Sequence, residues 1–187
     1  MATDTPLASR RILIMATDGF EQSELEVPLE RLQDVGADVD IASLESGDIT
    51  GWDKDDWGDD IEVDLRIADA RVDDYDALVL PGGQINPDLL RVEKQAIELI
   101  QGFAKAGKPV AAICHAPWLL VEAGLAKGRR MTSYKSIRTD VANAGANVLD
   151  EAVVIDGNII TSRCPDDLPL FCDAIVDALA KAHAPAE

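Results

Sequence analysis

The sequence has few residues that bind soft metals or form disulfides: three cysteines and two histidines in 187 residues. The cysteines, at 114, 164 and 172, are odd in number and widely spaced, which indicates reduced thiols rather than a disulfide framework. No CxxC or HExxH spacing occurs, and two histidines exclude a histidine-rich metal site. We therefore expect a cytoplasmic protein that uses no metal and no cofactor.

Long apolar runs and excess positive charge are also missing. No run approaches the length of a membrane span, and residues 1–10 lack the apolar core of an export signal. The chain carries 17 Lys and Arg against 35 Asp and Glu, a net charge of −18, so phosphate backbones would be repelled. No Walker loop or GxGxxG follows any predicted strand. We expect no membrane, nucleic-acid or nucleotide binding.

Acidity is densest in residues 51–60, where aspartates surround Trp52 and Trp57. Such a segment could hold a hard cation, but the tryptophans and Lys54 leave no EF-hand spacing. A solvated loop is the favoured interpretation.

Short apolar runs alternate with helix-like segments along most of the chain. Runs at 11–16, 39–43, 77–80 and 110–113 are typical of strands buried in a parallel sheet, and helical spacing follows at 21–36, 88–106, 117–123, 136–144 and 167–182. The sequence Asp156-Gly157 between two apolar runs predicts a hairpin. The pattern predicts an α/β fold with a doubly wound, mostly parallel sheet, sandwiched by helices, and a small antiparallel hairpin. Residues 1–10 are predicted to be a disordered head, 11–182 a single domain and 183–187 a frayed tail.

One junction organises the predicted chemistry. The buried run Val110–Ile113 is followed at once by Cys114 and His115, and a helix begins at Pro117. Open α/β sheets bind ligands at the carboxyl ends of their strands, and amides at a helix start favour a thiolate. The arrangement resembles a nucleophile elbow with cysteine in place of serine. The alternative is a small buried cysteine with no chemical role.

Other strand ends supply candidate partners for this thiol. Glu21 follows the first strand, and Gly82 and Gly83 follow the run at 77–80. A carboxyl group beside the sulfur could donate a hydrogen bond to a thiolate, and glycine amides could stabilise an oxyanion. Glu21 and Asp88 each have a simpler interpretation, as first-turn acids favoured by the helix dipole.

Four segments carry a more specific pattern: DGFEQSELEVPLERLQDVGADVDIAS, DALVLPGGQINPDLLR, KPVAAICHAPWLLVEAGLAKGRRMTSY and DGNIITSRCPDDLPLF. In this order and spacing they resemble the PfpI family of intracellular cysteine peptidase-like proteins, in the superfamily of the parkinsonism-associated deglycase. The resemblance implies a flavodoxin-like fold, a Cys114 nucleophile and His115 as its partner. It implies that Glu21 hydrogen-bonds the nucleophile, and that Asp88 reaches His115 from a neighbouring subunit.

The resemblance also implies a function. The leading hypothesis is a cofactor-independent, stress-protective cysteine hydrolase acting on methylglyoxal, glyoxal or their protein adducts, with amides of Gly83 and His115 as the oxyanion site. Alternatives are a peptidase using Cys114, His115 and Asp88, or a redox-sensing or chaperone-like protein. The expected partners are a small carbonyl or peptide substrate and further copies of the chain, as a homodimer or larger oligomer. Cys164 replaces a residue that is usually Lys, Arg, His or Asn; it is either a resolving thiol or an ordinary packed side chain.

Overall fold

The computed structural model describes residues 5–181. The strands are β1 Arg11–Met15, β2 Phe20–Glu21, β3 Asp38–Ser43, β4 Gly47–Asp53, β5 Asp56–Val63, β6 Leu65–Arg66, β7 Ala77–Leu80, β8 Val110–Ile113, β9 Arg130–Met131, β10 Asn147–Val148, β11 Val153–Asp156 and β12 Ile159–Ser162. The α-helices are α1 Gln22–Asp34, α2 Ile85–Leu90, α3 Lys94–Lys105, α4 Pro117–Glu122, α5 Arg138–Asn143 and α6 Leu168–Lys181. Single 3₁₀ turns lie at Ile67–Asp69, Val72–Asp74, Lys135–Ile137 and Pro165–Asp167.

The main sheet has the strand order β11-β12-β8-β7-β1-β3-β6. Every neighbouring pair is parallel except β11–β12, which forms the antiparallel hairpin that Asp156-Gly157 predicted. The order of the long parallel strands is that of a flavodoxin-like sheet, whose ligand site lies where the winding direction changes, between β1 and β7. The predicted fold class is confirmed.

Both faces of the sheet are buried because its strands alternate their side chains between two cores. From β1, Ile12 and Ile14 pack into the core formed with α1 and α6. Leu13 and Met15 pack into the core formed with α3 and α4. Each fully buried aliphatic side chain of this kind contributes roughly 1.5–3 kcal/mol, which explains why the strands are continuous apolar runs.

The start of the chain departs from the prediction of a disordered head over residues 1–10. Leu7 is fully buried, and its N–H donates to the carbonyl oxygen of Val35. Thr5–Arg10 therefore form an ordered turn held by one apolar side chain, and the prediction is wrong for these residues. Residues 1–4, residue 182 and the predicted frayed tail 183–187 lie outside the described residues.

The helix predicted over 88–106 is two helices, α2 and α3, separated by Arg91–Glu93. Glu93 has an extended backbone that begins α3, and Val92 is 78% exposed. The prediction fails because Leu90 at the end of α2 and Ile97 in α3 contact the same core. They are seven residues apart, the spacing of two residues on one face of a continuous helix.

Residues 47–63 form a hairpin, β4–β5, which includes the segment 51–60 that we predicted to be a solvated loop. The two strands pair antiparallel, with one irregularity between Thr50 and Trp52, and β2 adds a third strand. Most side chains of β5 are at least partly exposed, so the strand lacks the apolar alternation that reveals a half-buried strand. The tryptophans lie in the strands and pack edge to face, with ring centroids 5.4 Å apart.

Candidate active site

Cys114 lies at a sharp turn between β8 and α4. Its φ angle is +65°, in the left-handed region that a non-glycine residue rarely adopts. Hydrogen bonds hold the turn on both sides: Cys114 N–H donates to Ser162 O at 3.1 Å, and Tyr134 N–H donates to Cys114 O at 2.7 Å. Strain of this kind is retained where the surroundings enforce it, often at functional sites. The geometry is that of a nucleophile elbow.

His115 contacts the thiol directly: Cys114 Sγ is 3.2 Å from His115 Nδ1. The other ring nitrogen, Nε2, lies 3.2 Å from Ser136 Oγ. The ring stacks on Tyr134 at 4.7 Å and meets the edge of Trp118 at 5.3 Å. Burial lowers the pKa of His115, so its neutral form is available to accept a proton at neutral pH.

The acid beside Cys114 is Glu24, and the prediction of Glu21 for this position is wrong. Glu24 is fully buried, and its Oε2 accepts the Gly82 N–H at 2.9 Å. The carboxyl group and the Cys114 thiol are also close enough for each to shift the pKa of the other. The reason is the phase of α1, which turns Glu24 and Leu25 toward the core and leaves Glu21 at the helix start, partly exposed. An acid next to a buried leucine on one helix face is the sequence signal that could have revealed it.

Glu24 and Cys114 share a buried environment that disfavours two negative charges. Burial raises the pKa of Glu24 to about 8, against the smaller opposing effect of its bond to Cys114. Burial also raises the pKa of the Cys114 thiol, and the charged form of Glu24 raises it further. The backbone N–H groups of Gly83 and His115 act in the opposite direction. A thiolate therefore forms most readily when the carboxyl group stays protonated and donates a hydrogen bond to the sulfur.

Gly83 brings its backbone amide to the sulfur, whereas the Gly82 N–H donates to Glu24, and a side chain at either position would collide with neighbouring atoms. A Cβ on Gly82 would lie 2.5 Å from Glu24 Oε2 and 2.6 Å from Cys114 Cβ. Gly83 has a φ angle of +77°, and its Cβ would lie 2.5 Å from Gly19 O. The loop is held from behind by Asn86, a buried residue absent from our predictions.

Asn86 ties the ends of two strands together. Its side-chain N–H groups donate to Pro81 O at 2.9 Å and Gly82 O at 3.0 Å, and its Oδ1 accepts the Thr17 N–H at 2.8 Å. These bonds satisfy every polar atom of a fully buried amide, which makes Asn86 a rigid link between the loops after β1 and β7.

The elbow opens into a cavity of about 540 Å³. It is lined by Glu21, Glu24, Trp52, Lys54, Gly83, Gln84, Cys114, His115, Tyr134, Ser136 and Pro165. The β4–β5 hairpin supplies Trp52 and Lys54, and the Trp52 indole N–H donates to Lys54 O at 2.9 Å. Glu21 is thus a wall of the cavity. Burial raises its pKa, and nearby Asp53 adds to the effect.

Asp88 is the predicted site residue that the fold does not bring to this cavity. It lies in α2 and is exposed, outside the cavity lining. Its side chain cannot complete a Cys-His-Asp triad within one chain in this arrangement.

The remaining thiols lie outside the cavity lining. Cys164 is partly buried with its Sγ 3.9 Å from Asp167 Oδ2, and Cys172 is buried; both are free. Among residues 5–181, no group of three or more His, Cys, Asp or Glu side chains is placed to hold a metal ion. Within the same residues, no helix is long and apolar enough to cross a membrane.

Comparison with known proteins now identifies the relatives of this site. The sequence pattern of the DJ-1/PfpI family matches residues 10–178. The chain belongs to the DJ-1/PfpI family. It is 45% identical to Deglycase TK1284 of Thermococcus kodakarensis over 84% of this chain and 92% of that protein. It is 42% identical to "Putative cysteine protease YraA" of Bacillus subtilis over 87% of this chain and 94% of that protein.

A solved structure agrees with the fold. DJ-1beta of Drosophila melanogaster superposes with a TM-score of 0.84 at 31% identity, over 92% of this chain and 91% of that chain. The two relatives are named a deglycase and a putative cysteine protease. Both names support a hydrolase-type enzyme.

Proposed function

We propose that this protein is a cysteine-dependent hydrolase acting on reactive carbonyls: methylglyoxal, glyoxal or their early protein adducts. The observation that carries the proposal is the 3.2 Å contact between Cys114 Sγ and His115 Nδ1 at a strained turn, open to a cavity of 540 Å³. Deglycase names among relatives that match most of this chain agree with it.

The first step is addition of the thiol to an aldehyde. The S–H proton passes to His115 Nδ1, a C–S bond forms, and the carbonyl π electrons move to oxygen. His115 then returns the proton to that oxygen, which gives a hemithioacetal. For methylglyoxal, a proton moves from the aldehyde carbon to the neighbouring carbonyl carbon through an enediol, and water hydrolyses the resulting thioester to lactate.

The groups around the sulfur can stabilise both negative charges that develop, first on the thiolate and then on the oxyanion. Protonated Glu24 donates to the thiolate before attack. The N–H groups of Gly83 and His115, which already act on the sulfur, are the donors we assign to the developing oxyanion. Neither role needs a metal or an organic cofactor.

Peptide hydrolysis is the second candidate. The cavity is larger than a three-carbon aldehyde requires, and the aromatic side chains of Trp52 and Tyr134 lie in its walls. Those side chains could contact a peptide side chain, and one relative carries a cysteine protease name. Acyl transfer would use the same thiol and histidine.

We further propose that the chain works as a homo-oligomer in the cytoplasm. Apolar side chains of α2 and the residues after it are exposed: Ile85 is 36%, Leu89 45% and Val92 78% exposed. This patch lies beside Asp88, so pairing through it would bury apolar area and bring Asp88 toward a second subunit. A strongly negative chain suits a small carbonyl or peptide substrate better than a nucleic acid or an anionic membrane.

The decisive experiment is conversion of methylglyoxal to lactate in chelator-treated buffer. We expect Cys114→Ala to abolish conversion and Cys164→Ala to retain it, because only Cys114 lies in the cavity lining. Undiminished lactate production by Cys114→Ala would overturn the proposal.

A fluorogenic peptide panel and peroxide treatment separate the alternatives. Release of fluorophore that iodoacetamide blocks, without lactate formation, would favour the peptidase. Rapid, stoichiometric oxidation of Cys114 detected by intact mass, with no turnover of either substrate, would favour a redox sensor.

A further inference from the structure

The histidine beside the nucleophile has a hydrogen-bond partner on each ring nitrogen within one chain. Nδ1 meets Cys114 Sγ at 3.2 Å, and Nε2 meets Ser136 Oγ at 3.2 Å. The sequence pattern gave no sign of the second contact, because Ser136 lies twenty-one residues further along the chain.

The segment that carries Ser136 is attached to the elbow by its own bonds. Tyr134 N–H donates to Cys114 O at 2.7 Å, and a 3₁₀ turn at Lys135–Ile137 follows directly. The Tyr134 ring stacks on the His115 ring with 25° between their planes. The backbone of the elbow, the ring of the histidine and the hydroxyl group of Ser136 are therefore placed together by one short segment.

Stacking leaves one property of the histidine undetermined. Tyr134 on one face and the edge of Trp118 hold the plane of the ring. They do not decide which nitrogen carries the proton, since both tautomers have the same shape. A base for Cys114 needs a free lone pair on Nδ1, so a neutral His115 must carry its proton on Nε2. That proton requires an acceptor, and the Ser136 hydroxyl oxygen is at hydrogen-bond distance.

We propose that Ser136 is the positioning residue that holds His115 in the Nε2–H tautomer, so that Nδ1 accepts the Cys114 proton. In the step it supports, the S–H bond breaks, an Nδ1–H bond forms, and the electron pair stays on sulfur. Nε2 keeps its proton, and the Nε2–H group donates a hydrogen bond to Ser136 Oγ before and after the transfer. In this step Ser136 acts through His115.

This inference deepens the proposed function and rests on its assignment of His115 as the base for Cys114, whatever the substrate is. It gives His115 an orienting contact within one chain, in addition to the contact that the family resemblance implied for Asp88 of a neighbouring subunit. Ser136 makes this contact in the single chain.

The direct test is the tautomer of His115 by ¹H–¹⁵N NMR of the side-chain nitrogens. The chain has two histidines, so a His183→Asn background leaves His115 alone in the spectrum. We expect the proton on Nε2 in this background, a mixture of tautomers or the Nδ1–H form in Ser136→Ala, and recovery of the Nε2–H form in Ser136→Thr. Thr139→Ala, which removes another exposed hydroxyl group nearby, is the control and should match the background.

Alkylation of Cys114 by iodoacetamide gives a second readout that needs no substrate. We expect the rate at pH 7 to fall about threefold to tenfold in Ser136→Ala, the effect of one hydrogen bond, and to recover in Ser136→Thr. An Nδ1–H signal in the background protein, or an unchanged tautomer in Ser136→Ala, overturns the inference. So does a tautomer that responds to Asp88→Asn and not to Ser136→Ala.

The two proposals fail separately. Loss of the Nε2–H signal in Ser136→Ala, with no turnover of methylglyoxal by the unmodified enzyme, would keep Ser136 as the positioning residue and discard the carbonyl substrate. Full lactate formation with an unchanged tautomer in Ser136→Ala would keep the carbonyl substrate and discard Ser136 as the positioning residue.

Discussion

The carboxyl group of Glu24 and the thiol of Cys114 meet beside the backbone of Gly82. Oε2 of Glu24 accepts the Gly82 N–H at 2.9 Å, and there is no room between the two side chains for a Cβ on that glycine. Oε1 of Glu24 is buried with no hydrogen-bond partner among residues 5–181. A carboxyl group in this position is suited to hold a proton, because its second oxygen can then donate rather than accept.

The first prediction concerns alkylation of Cys114 at pH 6.5. Below the Glu24 pKa of about 8 the carboxyl group is mostly protonated and can donate to the thiolate. Glu24→Ala removes this donor, so the iodoacetamide rate, measured by mass spectrometry, should fall about tenfold; Glu24→Gln keeps an N–H donor and should lose less. Glu21→Gln is the control and should stay within about twofold. A slow Glu21→Gln beside an unaffected Glu24→Ala would return the role to Glu21.

The second prediction concerns stability against pH. The pKa of Glu24 is raised from 4.5 to about 8 in the folded protein, so its neutral form favours folding. This stabilisation is complete below pH 4.5 and is lost as pH rises through about 8. The glutamine of Glu24→Gln cannot ionise, so this variant does not lose that stabilisation as pH rises. Its free energy of unfolding, relative to that of the unmodified protein, should therefore increase between pH 5 and pH 8. This increase, the gain, should be at most about 4 kcal/mol.

Urea unfolding at several pH values measures this difference. Glu30→Gln, an exposed acid on the same helix, should run parallel to the unmodified protein across the range. A gain in Glu24→Gln that shrinks as pH rises would contradict the assignment of a raised pKa.

The third prediction separates crowding from backbone strain in the glycine loop. Gly83 and Gly124 have nearly equal φ angles, +77° and +73°, but only Gly83 is crowded; nothing lies within 4 Å of a Cβ on Gly124. Gly124→Ala should therefore cost about 1–2 kcal/mol from its left-handed backbone alone. Gly83→Ala should cost clearly more and slow Cys114 alkylation, as measured by urea unfolding and mass spectrometry. Equal losses of stability in the two variants would show that the loop at Gly83 can shift to accommodate a Cβ.

The fourth prediction concerns self-association through α2. Leu89→Glu places a charge in the exposed apolar patch and should convert an oligomer to smaller species, as measured by light scattering. Leu170→Glu is the matched control, because Leu170 is 56% exposed on α6 and outside the patch. An unmodified protein that is already monomeric at working concentration would contradict the proposed oligomer, as would a mass unchanged by Leu89→Glu.

The local sequence pattern was sufficient to predict structure wherever a residue's neighbours in the sequence determine its conformation and burial. Continuous apolar runs predicted β1, β7 and β8 because a strand buried on both faces needs apolar side chains at every position. Cys114, His115, Gly82 and Gly83 could be placed at the site for the same reason: they directly follow such strands, and parallel strand ends share one edge. Asp156-Gly157 predicted its hairpin because that turn needs residues that tolerate positive φ.

Tertiary structure alone decided the properties that depend on helix phase and on distant segments. Glu21 and Glu24 are both acids near the start of α1, and only the packing of that helix against the sheet shows that Glu24 lies beside Gly82 and Cys114. Ser136 meets His115 because Tyr134 is bonded to the elbow, a contact that no spacing encodes. The sequence by itself thus determined the fold and the place of Cys114 at the end of β8, since both follow from local burial. The side chains that surround Cys114 and His115 were decided by the tertiary structure, because hydrogen bonds depend on distances in space.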